Sequence, residues 1–290
     1  MSTGQIPPFL RPAEVANNDQ LRSRFMRQLI IRSSTTPSSP SLHAVTPPVL
    51  VQFWDDSRSI PSDVQACIET WAPLDDAGFT RMLFDDQSAR GFITEHFDSR
   101  HVAAFEACAH PAMRADYFRL CFILRHGGVY IDADDEYQGV SLEPLIEDGR
   151  LRLQALCYNV LSDSMSDPAL ALGSDEADDQ IFYVNNNPLI ASANHPVIAA
   201  ALERATDALN GRIGSIRDIQ SLTGPGNLTA SLVQYAADLD VAGKEYDFEI
   251  LTTWDEVAVS KWPLDYRKDG RNWRKWAQGE AVPKQERGNS

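Results

Sequence analysis

The sequence predicts one α/β domain with a mixed, mostly parallel sheet flanked by helices, and a helical extension at its N-terminus. Short apolar runs that suit buried strands alternate along the chain with longer segments of helical periodicity. The chain has 290 residues, of which 43% are hydrophobic and 23% are charged. This length and composition allow a substantial core in one large domain and do not fit a disordered chain.

The overall charge argues against nucleic acid as a partner. Acidic residues number 41 and basic residues 26, which gives a net charge of −15, whereas nucleic-acid binders usually carry a basic patch. No apolar run reaches the roughly 18–20 residues that a transmembrane helix requires, and the N-terminus lacks a signal-like apolar region. We therefore expect a cytoplasmic protein. Reduced thiols are expected for its four cysteines, which show no metal-ligand spacing: Cys67, Cys108, Cys121 and Cys157.

The first 46 residues are predicted to precede the main domain. Residues 1–18 are polar and predict a loose tail, and the Ser/Pro-rich run 33–41 predicts a linker. Between them, residues 19–32 place apolar side chains on one helical stripe, with four arginines around the remainder. We expect this helix to dock on the main domain. Peripheral contact with a membrane, or with a partner, is the alternative.

The main domain is predicted to extend over 47–290, beginning with a strand that ends near Trp54 and a helix that Ser62 can cap. A long helix is predicted from Pro111 to the Gly127-Gly128 pair, because proline suits a first helical turn and glycine suits a helix end. The remaining predicted elements are strands at 79–84, 129–132, 151–158 and 180–184, and helices at about 86–97, at 196–209 and from the turn at 224–226 to about 239.

The acidic run that follows the strand at 129–132 is the most informative motif. Side chains at positions i and i+2 of a strand point the same way, so Asp132 and Asp134 are predicted to project together from the strand's end. Ligands bind at this edge in open α/β sheets. Two carboxylates with open positions beside them suit a hard divalent cation that also holds phosphate oxygens. Asp135 and Glu136 either orient the first two carboxylates or are solvated, and a wholly solvated acidic turn is the alternative.

The helix that leads into this run carries a second pair of charged residues. Asp116 and Arg119 are three residues apart and therefore share one helical face. A surface ion pair is one interpretation. Because the helix continues directly into the glycine turn and the acidic run, the alternative is that both side chains belong to the same pocket as Asp132 and Asp134.

These residues carry a resemblance to a known family. The run R-A-D-x-x-R followed by G-G-V-Y-x-D-x-D, within 114–134, resembles the DXD-motif glycosyltransferases. That family includes the yeast initiating outer-chain mannosyltransferase and, more distantly, the glucosylating domains of clostridial toxins. The similarity covers about 47–240, including the asparagine run 185–187 and the Thr-Gly-Pro turn at 223–225. It implies a GT-A fold, a UDP- or GDP-linked sugar donor, Mn²⁺ or Mg²⁺, a glycan or small-molecule acceptor, and retention at the anomeric carbon.

The same resemblance implies roles for individual residues. Asp134 is expected to coordinate the metal, and Asp132 to contact the metal's shell or the donor ribose. Asp116 and Arg119 are expected to grip the donor sugar or its neighbouring phosphate. Trp54 is expected near the base, where stacking on an aromatic ring is worth roughly 1–3 kcal/mol; an ordinary core position is the alternative. Further donor contacts are expected from Tyr130, Asn187, Thr223 and Trp273.

The C-terminal stretch at about 255–280 is rich in tryptophan and basic residues. In the resembling family this region closes over the donor, so we expect a lid here, with Asp269 and Asn272 as candidates for a last metal contact. A basic aromatic tail that covers the domain surface is the alternative. Two other functions remain open. One is an effector that glycosylates a host protein, which a membrane-binding N-terminal helix would favour; the other is a catalytically idle sugar-nucleotide-binding module.

Overall fold

The computed structural model describes residues 11–35, 45–173, 179–211, 218–268 and 270–277. The strands are β1 Val49–Phe53, β2 Thr80–Phe84, β3 Gly128–Tyr130, β4 Asp135–Tyr137, β5 Leu151–Asn159, β6 Ser164–Ser166, β7 Gln180–Ala191, β8 Phe248–Leu251 and β9 Ala258–Ser260. The helices are α1 Pro12–Asn17, α2 Asp19–Thr35, α3 Ser62–Glu69, α4 Pro73–Asp76, α5 Asp86–His96, α6 Ser99–Ala107, α7 Pro111–His126, α8 Glu143–Ile146, α9 Pro168–Leu172, α10 Pro196–Asn210, α11 Ile219–Leu222, α12 Pro225–Ala242 and α13 Trp273–Ala277.

Seven strands form one sheet in the order β2-β1-β3-β7-β5-β6, and β8 pairs with the first residues of β5. The pairings give β1, β2, β3, β5 and β8 one direction, whereas β6 and β7 run the opposite way. The prediction of a mixed, mostly parallel α/β sheet is therefore confirmed. Because β1 and β3 are parallel neighbours, their carboxyl ends open at the same edge of the sheet, where Trp54 and Asp132 follow.

Alternate side chains of the central strands enter two separate cores, as the two-residue period of a strand requires. Leu50, Val129 and Ile190 belong to the smaller core. Val51 and Tyr130 point to the other side of the sheet and enter the larger core, which also holds buried side chains from α2, α5, α7, α10 and α12. The sheet that positions the site is thus packed on both faces.

The turn from α7 into β3 depends on two glycines. Gly127 ends the helix with φ of 70°, and Gly128 has φ of 117°, both values that favour glycine. A Cβ atom on Gly128 would lie 2.7 Å from the carbonyl oxygen of Val49. The missing side chain therefore lets β3 begin directly against β1, and this places the acidic run at the sheet edge.

The N-terminal extension is part of the same packed unit. Helix α2 contacts β7, β8 and α12, and it buries four apolar side chains in the larger core: Phe25, Met26, Leu29 and Ile30. The predicted docked helix is therefore what the structure shows, and the apolar stripe that a membrane would require is covered. Among the described helices, none combines the length and apolar content needed to cross a bilayer.

The prediction of a loose tail over 1–18 is wrong where it meets α1. This short helix packs on α2 and α12 and buries Val15 and Ala16. Helix α2 continues to Thr35, three residues into the predicted linker 33–41; the rest of that linker lies outside the described residues. The four cysteines are buried and form no disulfide.

A second, two-stranded sheet returns the C-terminal part of the chain to the acidic run. Strand β4 pairs antiparallel with β9, and Asp135 lies opposite Ser260. The segment 261–277, which follows β9, is called here the C-terminal segment. The pairing of β9 with β4 anchors the beginning of this segment beside Asp132 and Asp134.

Candidate active site

A cavity of about 820 Å³ opens where β1 and β3 end. Most of the residues predicted from the sequence line it: Trp54, Asp116, Arg119, Tyr130, Asp132, Asp134, Asn187 and Trp273. Thr223 does not line the cavity and contacts Asp116 instead. Asp269 lies outside the described residues. The structure therefore brings together side chains from β1, α7, β7 and the C-terminal segment at one edge of the sheet.

Asp132 and Asp134 lie on a turn, because β3 already ends at Tyr130 and β4 begins at Asp135. The backbone N–H of Asp135 donates to the Asp132 carbonyl at 3.2 Å and closes this turn. The argument from strand alternation was therefore wrong about the local structure, although both carboxylates line the cavity. The Asp132 side chain is 34% exposed and that of Asp134 is 13% exposed.

Arg119 holds two of the carboxylates in place. Its Nη2 lies 2.9 Å from an oxygen of Asp116 and 2.9 Å from an oxygen of Asp132. Its Nη1 donates to the carbonyl of Asn186 at 2.8 Å, and the guanidinium carbon lies 4.2 Å from the ring centroid of Tyr130. The predicted pairing with Asp116 is present. Because most of these donors are directed at protein acceptors, Arg119 is better described as a residue that positions the carboxylates than as a grip on the donor.

Asp116 is buried and fully engaged. It accepts from the Asn186 side-chain amide at 2.7 Å and from the Thr223 hydroxyl at 3.3 Å. A Cβ atom on Gly224 would lie 3.3 Å from the same carboxylate, so a glycine allows this close approach. Burial raises the pKa of Asp116 to about 6, and the charge of Arg119 opposes that rise. Asn186 belongs to the asparagine run that the sequence drew attention to, but its contact with Asp116 was not predicted.

Asn187 joins the acidic turn to β7. Its Oδ1 accepts the backbone N–H of Asp132 at 3.1 Å, and its Nδ2 donates to Asp135 at 2.8 Å. The Ser260 hydroxyl donates to the other oxygen of Asp135 at 2.6 Å. Burial, together with the charges of Asp134 and Asp132, raises the pKa of Asp135 to about 7. Asp135 is therefore not a solvated side chain; it ties β4, β7 and β9 together behind the turn.

The C-terminal segment forms the opposite wall. Arg267 makes an ion pair with Asp134, and the Tyr266 hydroxyl donates to the same carboxylate at 2.7 Å. The Arg267 guanidinium stacks on Trp262, with 3.4 Å between its carbon and the ring centroid. The Trp54 ring meets Tyr266 edge-on at 5.2 Å. The composition of this segment drew attention to it, but nothing in the sequence predicted that Tyr266 and Arg267 would meet Asp134.

Two further arginines lie on this basic wall. The guanidinium carbon of Arg274 is 4.6 Å from the ring centroid of Trp273 and 5.5 Å from that of Trp262. The guanidinium carbon of Arg271 is 5.6 Å from the ring centroid of Trp54. The cavity therefore places an acidic turn opposite a wall of stacked arginine and indole groups, an arrangement that suits a ligand with phosphates and an aromatic ring.

Three buried donors on the cavity wall have no hydrogen-bond partner within the part of the chain that the structure describes. They are the Trp54 Nε1, the Tyr130 hydroxyl and the Arg267 Nε. Buried polar groups in proteins are nearly always paired, and an unpaired one costs about 1–3 kcal/mol. All three of these unpaired donors belong to residues that line the same cavity.

The donor set fits a hard divalent cation shared with substrate. Asp132 and Asp134 offer carboxylate oxygens, and Mg²⁺ is commonly bound by one or two carboxylates plus phosphates and water. Within the described ranges, no group of three or more His, Cys, Asp or Glu side chains is arranged to hold a metal. Asn272, the other predicted ligand, remains a prediction. Its amide donates to the Arg267 carbonyl at 2.8 Å and accepts from the Arg274 N–H at 3.1 Å, so it holds the backbone of its own segment.

The chain is similar to a known protein family and to individual known proteins. Residues 61–150 match the family described as a glycosyltransferase sugar-binding region containing the DXD motif. An uncharacterized glycosyltransferase of Acanthamoeba polyphaga mimivirus is 27% identical over 89 residues, which are 30% of this chain and 35% of that protein. The solved structure of the PaToxG glycosyltransferase is 18% identical, covers 76% of this chain and 79% of its own, and has a TM-score of 0.47.

The resemblance to DXD glycosyltransferases is thereby confirmed. The matched segment begins just before α3, ends just before β5 and includes Asp116, Arg119, Asp132 and Asp134. The family match and the viral relative agree with the enzyme class that the sequence predicts. The aligned part amounts to about a third of the length of the viral relative. Trp54 and the C-terminal segment lie outside the family match, so their place in the site depends on the geometry of the cavity.

Proposed function

We propose that this chain is a metal-dependent, retaining glycosyltransferase. It would transfer a hexose from a UDP- or GDP-linked sugar to a glycan or small-molecule acceptor. The observation that carries this proposal is the pair of facing walls in one cavity: Asp132 and Asp134 on the β3–β4 turn, and arginine and indole groups on the C-terminal segment. A nucleoside diphosphate sugar presents a base, a diphosphate that takes a cation, and a polyhydroxylated ring. The indole groups suit the base, the carboxylates and arginines suit the cation and the diphosphate, and the polar side chains of the cavity suit the sugar.

Asp132 and Asp134 would hold Mn²⁺ or Mg²⁺, which when bound neutralises the charge that develops on the leaving diphosphate. The contribution of the chain itself is to orient these ligands. Arg119 fixes the Asp132 carboxylate, and the Asn187 side chain fixes the backbone N–H of the same residue. Such support from neighbouring groups typically matters about 10–100-fold for metal affinity or activity.

The remaining wall residues are assigned to the donor by their open hydrogen-bonding groups. The Trp54 Nε1 and the Tyr130 hydroxyl are buried donors that lack protein acceptors among the described residues. Asn185 and Gln154, whose side chains bond each other at 3.1 Å on the cavity wall, offer amides to sugar hydroxyls. The indole of Trp54 or Trp273 provides a stacking surface for the base, which would not discriminate strongly between bases.

Retention is assigned from the family resemblance and is chemically compatible with this site. The bond from C1 of the sugar to the diphosphate breaks while an acceptor oxygen bonds to the same face of C1, and the proton of that acceptor hydroxyl passes to the departing diphosphate. Such front-face transfer depends on holding donor and acceptor in position and on stabilising the leaving group. It does not require a strong protein base, in keeping with carboxylates that are engaged by Arg119, Arg267 and Asn187.

No observation favours the two alternative functions over this one. The effector alternative drew its support from a membrane-binding N-terminal helix, and the apolar stripe of α2 is buried in the core. The idle-module alternative would be favoured by loss of the acidic pair, whereas Asp132 and Asp134 both line the cavity.

The test is release of nucleoside diphosphate from a panel of UDP-, GDP-, ADP- and TDP-sugars, with Mn²⁺ or with EDTA. We expect slow, metal-dependent hydrolysis of one donor. Once an acceptor is found, the anomeric NMR signal of the transfer product should show the same configuration at C1 as the donor. Absence of both hydrolysis and metal-dependent donor binding across the panel would contradict the proposal.

A further inference from the structure

The carboxylate assigned to the metal already has a cation beside it. Arg267 pairs with Asp134 through the same oxygen, Oδ2, that accepts the Tyr266 hydroxyl. Both ion-pair partners are only 13% exposed, so the contact is a defined part of the cavity wall rather than a chance meeting of surface side chains. Arg267 is therefore the counter-charge of Asp134 in this structure.

We propose that Arg267 and a divalent cation exchange places at Asp134, and that the released Arg267 then binds the diphosphate of the donor. This inference rests on the proposed function, because it assigns a role to one residue of the same site. Two positive groups a few ångströms apart repel each other strongly where water is scarce. A metal ion at Asp134 therefore weakens the hold of Arg267, and the arginine in turn opposes entry of the metal.

The surroundings of Arg267 support a second binding position for its guanidinium. Its Nε is buried and lacks a hydrogen-bond acceptor in the described ranges, so the pairing with Asp134 leaves one donor open. Its guanidinium carbon lies 3.4 Å from the Trp262 ring centroid, so the indole holds this group on the cavity wall. A guanidinium presents a planar fork of donors that suits the two-pronged binding of phosphate oxygens.

Arg267 lies on a 3₁₀ turn, Asp265–Lys268, in the segment that starts at the β4–β9 pairing. Arg274 also lies near Trp262, so a second cation is available on the same wall when the diphosphate arrives. The exchange would make binding of metal and donor cooperative. The metal replaces Arg267 as the counter-charge of Asp134, and the donor diphosphate pairs with the Arg267 that the metal releases.

The experiment compares three variants of Arg267 with the unaltered chain and with a matched control. Arg267→Ala removes the side chain, Arg267→Gln removes the charge and keeps the size, and Arg267→Lys keeps the charge. Lys268→Ala is the control, because this neighbour on the same turn is 74% exposed and pairs only with the exposed Asp265 among described residues. Mn²⁺ binding without nucleotide is measured by electron paramagnetic resonance, and binding of UDP and GDP with and without Mn²⁺ by calorimetry.

The two readouts should move in opposite directions. Without nucleotide, Arg267→Ala and Arg267→Gln should bind Mn²⁺ roughly tenfold more tightly, because the competing charge is gone. With saturating Mn²⁺, the same variants should bind UDP or GDP roughly tenfold more weakly, because a charged contact to the diphosphate is lost. Arg267→Lys should restore part of both effects, and Lys268→Ala should match the unaltered chain. A residue with only a structural role would weaken both kinds of binding.

Other outcomes would separate the two proposals. If the unaltered chain binds UDP or GDP in a metal-dependent way but Mn²⁺ affinity is unchanged or lower in Arg267→Ala and Arg267→Gln, the exchange is wrong and the proposed function stands. If nucleotide binding is independent of Mn²⁺ and disappears in these variants, Arg267 binds nucleotide without being displaced by a metal. The proposed exchange and the proposed metal requirement would then both be wrong. If the unaltered chain binds neither Mn²⁺ nor any nucleoside diphosphate, the proposed function falls as well.

Discussion

At the scale of single residues, the main feature of the site is a group of buried charged side chains. Asp116 and Arg119 are nearly inaccessible, and Asp132 shares the same guanidinium. Charges removed from water are tolerated when they are paired and hydrogen-bonded, and removing one partner is costly. Arg119 is the shared partner here, so its loss should be felt by both carboxylates at once.

Replacing this shared partner therefore gives a prediction about stability. Arg119→Met should lower the free energy of unfolding by about 3–5 kcal/mol, the usual cost of leaving a buried charge without its partner. Urea denaturation followed by circular dichroism measures the change. The double variant Arg119→Met with Asp116→Asn is the control, because it also removes one of the stranded charges. Its loss in the free energy of unfolding should be smaller than the sum of the losses in the two single variants, and strictly additive losses would contradict the account.

At the scale of elements, the approach of β3 to β1 depends on a residue without a side chain. Gly128→Ala should cost more than about 3 kcal/mol, since it combines a backbone angle that suits only glycine with a clash. The clash is with the Val49 carbonyl oxygen, 2.7 Å from the position of the new Cβ atom. Thermal or urea unfolding measures the cost.

Gly139→Ala separates the two causes of that cost. Gly139 has φ of 83°, and nothing lies within 4 Å of the position of its Cβ atom. This variant should therefore show the conformational cost alone, about 1–2 kcal/mol. Equal losses at the two positions would mean that the close approach of the strands contributes nothing.

The N-terminal helix gives a second prediction at this scale. Leu29 is 1% exposed in the larger core, so Leu29→Ala should destabilise the protein by about 2–5 kcal/mol. Gln20→Ala, on the exposed part of the same helix, should change stability by no more than about 0.5 kcal/mol. Unfolding in urea checks both. A helix that served only to bind a membrane or partner would leave the two variants equally stable.

Local patterns in the sequence account for most of the elements near the site. Proline at the start of α7 and the glycine pair at its end predicted that helix within one residue. The short strands β4 and β9 were not predicted, because each has three residues and forms only when the two meet. Strand alternation was likewise carried past Tyr130 into the acidic turn, since the pattern of alternation cannot show where pairing with β1 stops.

At the scale of the whole molecule, the residues of the acidic half of the site could be predicted, whereas the arginine contacts of the C-terminal segment could not. Asp116, Arg119, Asp132 and Asp134 lie within one short run, so spacing and family resemblance were enough to identify them. The contact between Arg267 and Asp134 spans 133 positions along the chain. It depends on the β4–β9 pairing and on the fold of the C-terminal segment, and no local pattern encodes it.

The most direct test of the account is donor turnover in Asp134→Asn, compared with the unaltered chain in Mn²⁺ and in EDTA. Asp76→Asn serves as the matched control, because that carboxylate is exposed on α4 and remote in sequence from the acidic turn. We predict metal-dependent turnover in the unaltered chain and in Asp76→Asn, and a loss of roughly 100-fold or more in Asp134→Asn with the fold retained. Undiminished, metal-dependent turnover in Asp134→Asn would contradict the assignment of this carboxylate to the metal.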